Sequence, residues 1–200
     1  MRVHIQDFCG HPFQVQMARE LAARGHDVLH TYATQYVTGR GNLDLTPDDP
    51  PNLRIEGVTA DVEMKKYSPI GRLRFEFSYA RAMSAKIAAF PADVVVLCNE
   101  PLLAATVLRR QFARSGQHWM LWHQDVISSA MSDEVARKLP AVAARPAKRL
   151  FERLEQRVVE KASAVVVIGE QFVAQYREWG LAADDVAVIH NWAPVDEIVP

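Results

Sequence analysis

Two cysteines, Cys9 and Cys98, are the only ones in 200 residues. That excludes a disulfide framework and a cysteine-rich zinc site. Both are expected to stay thiols in a reducing compartment. An excess of one charge is missing as well: 23 Lys and Arg stand against 24 Asp and Glu, a formal net charge of −1. A general nucleic-acid binder needs a strong basic excess, so no nucleic-acid partner is expected. No apolar run approaches the ~20 residues that cross a bilayer. Met1-Arg2 leads straight into the strand-like RVHIQDF, with no apolar leader. The chain is expected to be soluble and cytoplasmic.

Familiar motifs are lacking too. No G-x-G-x-x-G follows the first strand and no G-x-x-x-x-G-K-[ST] occurs, which removes the usual dinucleotide and P-loop fingerprints. Ser84, Ser128, Ser129, Ser132 and Ser163 sit in no G-x-S-x-G elbow, so a serine hydrolase has no support. His26 and His30 have the spacing of helical metal ligands, but they fall in a predicted strand that separates them by roughly 13 Å. No metal site and no bound cofactor are expected.

What is present is an ordinary globular balance, 49% hydrophobic and 24% charged residues, arranged as alternating patterns. Short apolar runs at 2–8, 26–34, 53–58, 93–98, 118–123, 164–169 and 185–190 read as strands, several of them continuous enough to be covered on both faces. Helices are predicted at Pro12–Arg24, Ile70–Ala89, Pro101–Ala113, Ala147–Lys161 and Glu170–Trp179. Gly25 and Gly180 supply stops, and Pro12 suits a first turn. The fold class is α/β, a doubly wound, mainly parallel Rossmann-like sheet. Residues 39–52, GRGNLDLTPDDPPN, are the clear loop.

Ligands of such sheets bind beyond the carboxyl ends of the strands. Those ends read Cys9-Gly10-His11-Pro12, Asn99-Glu100-Pro101, His123-Gln124-Asp125, Gly169-Glu170 and His190-Asn191-Trp192. Any one of them could be a plain polar cap. Five together predict one cleft rich in groups that titrate or hydrogen-bond. His123 could exchange protons near neutral pH or bond a sugar hydroxyl; Asp125 could bond a hydroxyl or cap a helix. Backbone N–H groups at Gly10-His11 could face a phosphate, less the one that Pro12 lacks. The 138–161 stretch interleaves Lys138, Arg145, Lys148, Arg149, Arg153, Arg157 and Lys161 with Leu150, Phe151, Leu154 and Val158. It reads as a solvated face over a core stripe or as a dock for an anionic membrane surface, to which Lys65, Lys66, Arg72 and Arg74 could add.

QMARELAARGHDV after the first-strand loop resembles the opening of the GT-B glycosyltransferases, specifically the retaining family-four group. The closing EKASAVVVIGEQFVAQYREWGLAADDVAVIHNWAPVDEI resembles that group's strand, short helix and second strand ending in Asn-Gly or Asn-Trp. HNWAPVDEI and WHQD are most similar to members that build bacterial capsule, colanic-acid and O-antigen polysaccharides. The resemblance spans essentially all 200 residues. It departs in having Cys9-Gly10-His11-Pro12 where many relatives carry a Gly-rich turn, and Gln124 between His123 and Asp125.

The resemblance implies one half of a GT-B fold: residues 1–190 an acceptor-side domain, 191–200 the start of an interdomain linker, and a donor-binding domain absent. It implies retaining transfer of a sugar from a nucleotide-sugar co-substrate to a glycan or lipid-linked acceptor; the basic 138–161 stretch motivates the expectation of a peripheral position at the inner membrane. His123 and Asp125 are the expected catalytic residues, and Gly10, His11, Asn99, Glu100, Glu170 and Asn191 the expected substrate-binding ones. The family's E-x₇-E pair belongs to the absent half, so the same spacing at Glu152/Glu160 and Glu170/Glu178 reads as chance. This half alone is expected to be inactive. The rival expectations are a non-catalytic membrane-anchoring subunit of a split transferase and an unrelated α/β small-molecule-binding domain.

Overall fold

The computed structural model describes residues 1–36, 39–65, 68–138, 140–181 and 186–193. Strands and helices alternate as β1 (Arg2–Asp7), α1 (Pro12–Ala23), β2 (Asp27–Ala33), β3 (Leu53–Val58), α2 (Pro69–Ala89), β4 (Val94–Cys98), α3 (Leu102–Ser115), β5 (Trp119–His123), α4 (Ile127–Lys138), α5 (Ala141–Val159), β6 (Ala164–Val167), α6 (Glu170–Glu178) and β7 (Val186–Val188). The seven strands form one sheet in the order β3-β2-β1-β4-β5-β6-β7. Every pairing is parallel. The expected doubly wound α/β sheet is therefore the observed one.

Local chemistry sets several boundaries. Pro12 opens α1, where a missing N–H costs nothing. Ser68 accepts the Gly71 N–H at 3.1 Å and caps α2. Gly116, at φ 70°, takes the left-handed turn that closes α3. The apolar faces then divide between two layers. Phe75, Tyr79 and Met83 of α2, Leu108 and Phe112 of α3, Val158 of α5 and Tyr176 of α6 pack on one face of the sheet. Ala18 and Ala22 of α1 pack on the other, against Val3, Ile5, Val96 and Trp122. Each fully buried large side chain contributes about 1.5–3 kcal/mol.

One helix was not expected. Residues 127–138 form α4, and α5 begins at Ala141 rather than Ala147. Pro146 reads as a breaker, yet it lies inside α5. Its missing N–H forfeits only the bond to the Val142 carbonyl. Val142 is 84% exposed, so water reaches that end of the helix.

α5 also stands proud of the sheet. Glu155 meets His123 at the carboxyl end of β5, whereas Ser163 donates its N–H to Trp119 at the start of that strand. The helix therefore runs antiparallel to β5. Its residues before 155 extend beyond the strand ends by about 20 Å at 1.5 Å per residue.

After β7 the chain turns back over α1. Trp192 sets its ring edge-on to Phe13 at 5.9 Å and tilted against Trp122 at 6.0 Å, and its indole N–H donates to Gln16 at 2.6 Å. Only the first three residues of the expected linker from Asn191 are described; 194–200 lie outside the described residues.

Candidate functional site

β1 and β4 lie side by side, but the chain leaves β1 toward β2 and leaves β4 toward β5. Diverging connections open a crevice at the carboxyl ends of that pair. A cavity of about 530 Å³ occupies the place, within the roughly 300–1,000 Å³ of small-molecule sites. His11, Asn99, Glu100, His123 and Asp125 line it, with Phe8, Phe75, Leu121 and Val126 among the apolar walls. Gly10, Glu170 and Asn191 are not in its lining. Glu170 starts α6 and Asn191 follows β7, both exposed. The structure thus gathers the tips of β1, β4 and β5, while β6 and β7 present theirs beside that cleft rather than in it.

At the tip of β1 the organising group is Asp7, a fully buried residue outside the sequence expectations. Its carboxylate accepts the backbone N–H of Cys9 at 3.2 Å and that of His11 at 2.5 Å, and takes the Asn99 side-chain amide at 3.3 Å. Burial pushes the Asp7 carboxyl up, and His11 with these N–H donors pulls against that. The Gly10 N–H is given to the Asp7 carbonyl. Gly10, at φ +74°, is itself roofed: Gly41 donates to its carbonyl at 2.8 Å, and a Cβ there would lie 3.1 Å from Leu43. The amides expected to meet a phosphate are therefore donated inside the protein. Beside Phe8 and Cys9, the turn after β1 offers the cavity the His11 ring, stacked on Phe13 at 5.4 Å.

Asp7, Cys9 and His11 also bring three ligand atoms within 4.8 Å of one another. Two features oppose a cation there. The Asn99 amide nitrogen already sits 3.0 Å from His11 Nδ1 while bonding Asp7. Burial, then the charges of Asp7, Glu100 and Asp125, push the Cys9 thiol up to about 12, whereas a ligand cysteine must be a thiolate.

Behind the β4 tip, Glu76 of α2 accepts Arg72 Nε at 2.8 Å and the Leu103 N–H at 3.1 Å, tying α2 to the start of α3. Glu100 is buried beside it. Burial, then the charges of Glu76 and Asp7, hold Glu100 well above the usual carboxylate range, against a favourable contact with Gln6. A neutral acid can donate to Gln6 Oε1, which otherwise lacks a donor.

His123 at the β5 tip is 5% exposed and has both ring nitrogens engaged. Nε2 meets Glu155 Oε1 at 3.1 Å and Nδ1 meets the Tyr176 hydroxyl. Glu155 also accepts the N–H groups of Ile127 at 2.7 Å and Ser128 at 3.0 Å. A carboxylate from α5 thereby caps α4, the task that Asp125 could have performed locally. Asp125 instead stands exposed at the cavity mouth. Burial raises the Glu155 carboxyl, but the hydrogen bond and charge of His123 and the bonds from Ser128 outweigh it, and the net shift is downward. Sequence reasoning missed Glu155 and Tyr176. The available signal was a Glu placed on the apolar side of α5, between Phe151 and Val158.

With this geometry in view, comparison with known proteins is specific. The glycosyl transferase 4-like domain family matches residues 11–192, and the chain belongs to that family. No curated protein matches it. Among solved structures, a UDP-glucosyltransferase from Polygonum tinctorium shares 10% identity at a TM-score of 0.56, covering 100% of this chain and 54% of that one. A transferase from Siraitia grosvenorii, in complex with UDP, shares 12% at 0.54, covering 94% and 50%. HepE of Anabaena, in complex with UDP, shares 13% at 0.51, covering 98% and 45%. At such identities the likeness is one of fold. The chain spans about half the length of these neighbours.

Glu155→Ala strands two N–H groups and His123, and should cost about 2–4 kcal/mol in urea denaturation at neutral pH. Because the folded carboxyl lies low, its contribution is complete above the ordinary Glu range and disappears as pH falls through the folded value. Glu155→Gln should flatten that acid-side loss. An unchanged slope would contradict the pairing.

Proposed function

We propose that this domain is the acceptor-side half of a nucleotide-sugar-dependent glycosyltransferase that passes a hexose to a glycan or lipid-linked acceptor in surface polysaccharide synthesis. The cavity at the β1/β4 crevice carries this reading, because it puts hydrogen-bonding groups among apolar walls where α/β sheets bind ligands. The two neighbours bound to UDP support a UDP-sugar as the donor. Their doubled length supports a second, donor-binding half, so the activity is assigned to the two-domain protein.

In the scheme that the family resemblance implies, configuration is retained. The bond from anomeric carbon to phosphate oxygen breaks, its electrons leave with the diphosphate, and the acceptor oxygen bonds the carbon from the same face. The acceptor proton passes to the departing diphosphate. In this reading Asp125, exposed at the cavity mouth, hydrogen-bonds a sugar hydroxyl. His123, held by Glu155 and Tyr176, fixes the β5 tip beside it. Charge on the leaving group is met by N–H donors and a basic side chain, so no metal is required in this scheme.

Peripheral attachment to an anionic membrane belongs to the same reading. Arg145, Arg149 and Arg153 border a shallow groove with Pro146 and Leu150 on the part of α5 that overhangs the strand ends. None of these arginines has an ion pair among the described residues. Val142 beside them is 84% exposed. Across the cavity, α2 exposes Ile70 (66%), Leu73 (40%) and Phe77 (51%) along one face, one turn apart. Lys66 lies outside the described residues, as does the side chain of Lys138. The arginine surface also favours a second reading, a non-catalytic subunit that anchors a nucleotide-binding partner.

The 200-residue chain by itself is expected to transfer negligible sugar, and the two-domain protein to turn over a UDP-sugar with retention, as read from the anomeric coupling in the product's NMR spectrum. Robust transfer by the isolated chain would overturn the first expectation. Activity that appears only on adding a separate polypeptide would select the anchoring subunit. In sedimentation with phosphatidylglycerol–phosphatidylethanolamine vesicles, charge reversal of Arg145, Arg149 and Arg153 should weaken binding about tenfold or more, at ~1 kcal/mol per basic residue. Equal binding by the reversed variant would remove the membrane from the account.

A further inference from the structure

Asn99 is the only non-glycine residue at positive φ among the described residues, at 53°. Left-handed backbone is disfavoured for residues other than glycine and concentrates at functional positions. At this position its side-chain amide nitrogen bridges two groups, His11 Nδ1 at 3.0 Å and Asp7 Oδ1 at 3.3 Å. Turning the amide over would set its oxygen against Asp7, whose two oxygens already gather the N–H groups of Cys9 and His11. The NH₂ group therefore faces both partners, one hydrogen to each. A nitrogen that accepts from Asn99 carries no proton, so the neutral His11 ring must hold its proton on Nε2.

Among the described residues that proton has no partner. Nδ1 of His11 is held against Asn99, the ring is fixed face-on to Phe13 with 12° between planes, and His11 lines the cavity. Among the described residues Nε2 meets no acceptor. The backbone donors that would ordinarily greet an anion at the head of α1 are consumed by Asp7, which leaves the imidazole as the β1 tip's hydrogen-bond donor.

We propose that His11 Nε2–H donates to a phosphoryl oxygen of the nucleoside diphosphate as it leaves the sugar, with Asn99 and Asp7 as positioning residues that fix the tautomer. This rests on the transferase reading and gives its leaving group a partner in this half. His11 keeps its proton throughout. Electrons of the broken carbon–oxygen bond go to the diphosphate, the acceptor's proton follows them, and the Nε2–H bond strengthens as charge collects on the phosphoryl oxygen.

The test is long-range ¹H–¹⁵N correlation of the histidine rings at neutral pH, repeated with UDP and with uridine. A single Nε2–H tautomer is expected at His11, shifting with UDP and not with uridine. Asn99→Gly suits the left-handed backbone and keeps the fold, but should release the ring into mixed tautomers. His11→Phe keeps the stack on Phe13 and should weaken UDP binding roughly tenfold, as for a lost hydrogen bond to a charged group. An Nδ1–H tautomer, or a His11 signal that UDP leaves unmoved, would overturn the assignment. A His11 that responds to UDP in a protein that transfers no sugar would sink the transferase reading instead and leave this site standing.

Discussion

A buried carboxylate on the last residue of β1 holds the crevice in shape. Without Asp7, the N–H groups of Cys9 and His11 would be orphaned at the end of a central strand, and unsatisfied buried donors are costly. With it, the chain can turn at Gly10 and start α1 at Pro12, while Asn99 is drawn across from β4 to close the gap between neighbouring strand tips. One acidic side chain thus joins the two strands whose connections diverge. It also converts an expected phosphate-binding helix head into a rigid mount for an imidazole.

Glu155 plays the matching part at β5. It reaches over from α5 to cap α4 and to hold His123. The cavity is bounded on one side by the Asp7 assembly and on the other by the Glu155 assembly, with mostly apolar walls between. Both assemblies are largely buried polar networks, which specify one geometry for the groups they hold. The tips of β1, β4 and β5 therefore behave as a preformed wall. The overhanging part of α5, with Arg145, Arg149 and Arg153, lies outside it.

Much of this was legible in the sequence, for identifiable reasons. The runs Val94–Cys98 and Ala164–Val167 are continuously apolar and rich in valine, as strands covered on both faces are, and Gly25, Gly180 and Pro12 punctuate the helices. Strand ends were legible because apolar runs stop at polar residues, and His11, Asn99, Glu100, His123 and Asp125 do line the cavity. Three things were not legible. Pro146 concealed the start of α5, because a proline in an exposed early turn costs little. The reach of Glu155 over 32 residues to His123 is a tertiary pairing without a local pattern. The inward Asp7 looked like the polar end of RVHIQDF, when its partners come from the next turn and from β4. The Asn-Trp turn after β7 found a structural place, with Trp192 closing on Phe13 and Trp122.

The central claim is that substrate enters the crevice between these two assemblies. Ala130 is an exposed α4 residue on the cavity lining, so a large side chain there blocks the opening without disturbing the core. Ala113 is an exposed α3 residue away from it. The most direct measurement is acceptor kcat/KM in the two-domain protein carrying Ala130→Trp, against Ala113→Trp as the matched control. The account predicts a loss of about a hundredfold or more in the first and little change in the second. Equal activity in both would mean that the acceptor binds elsewhere.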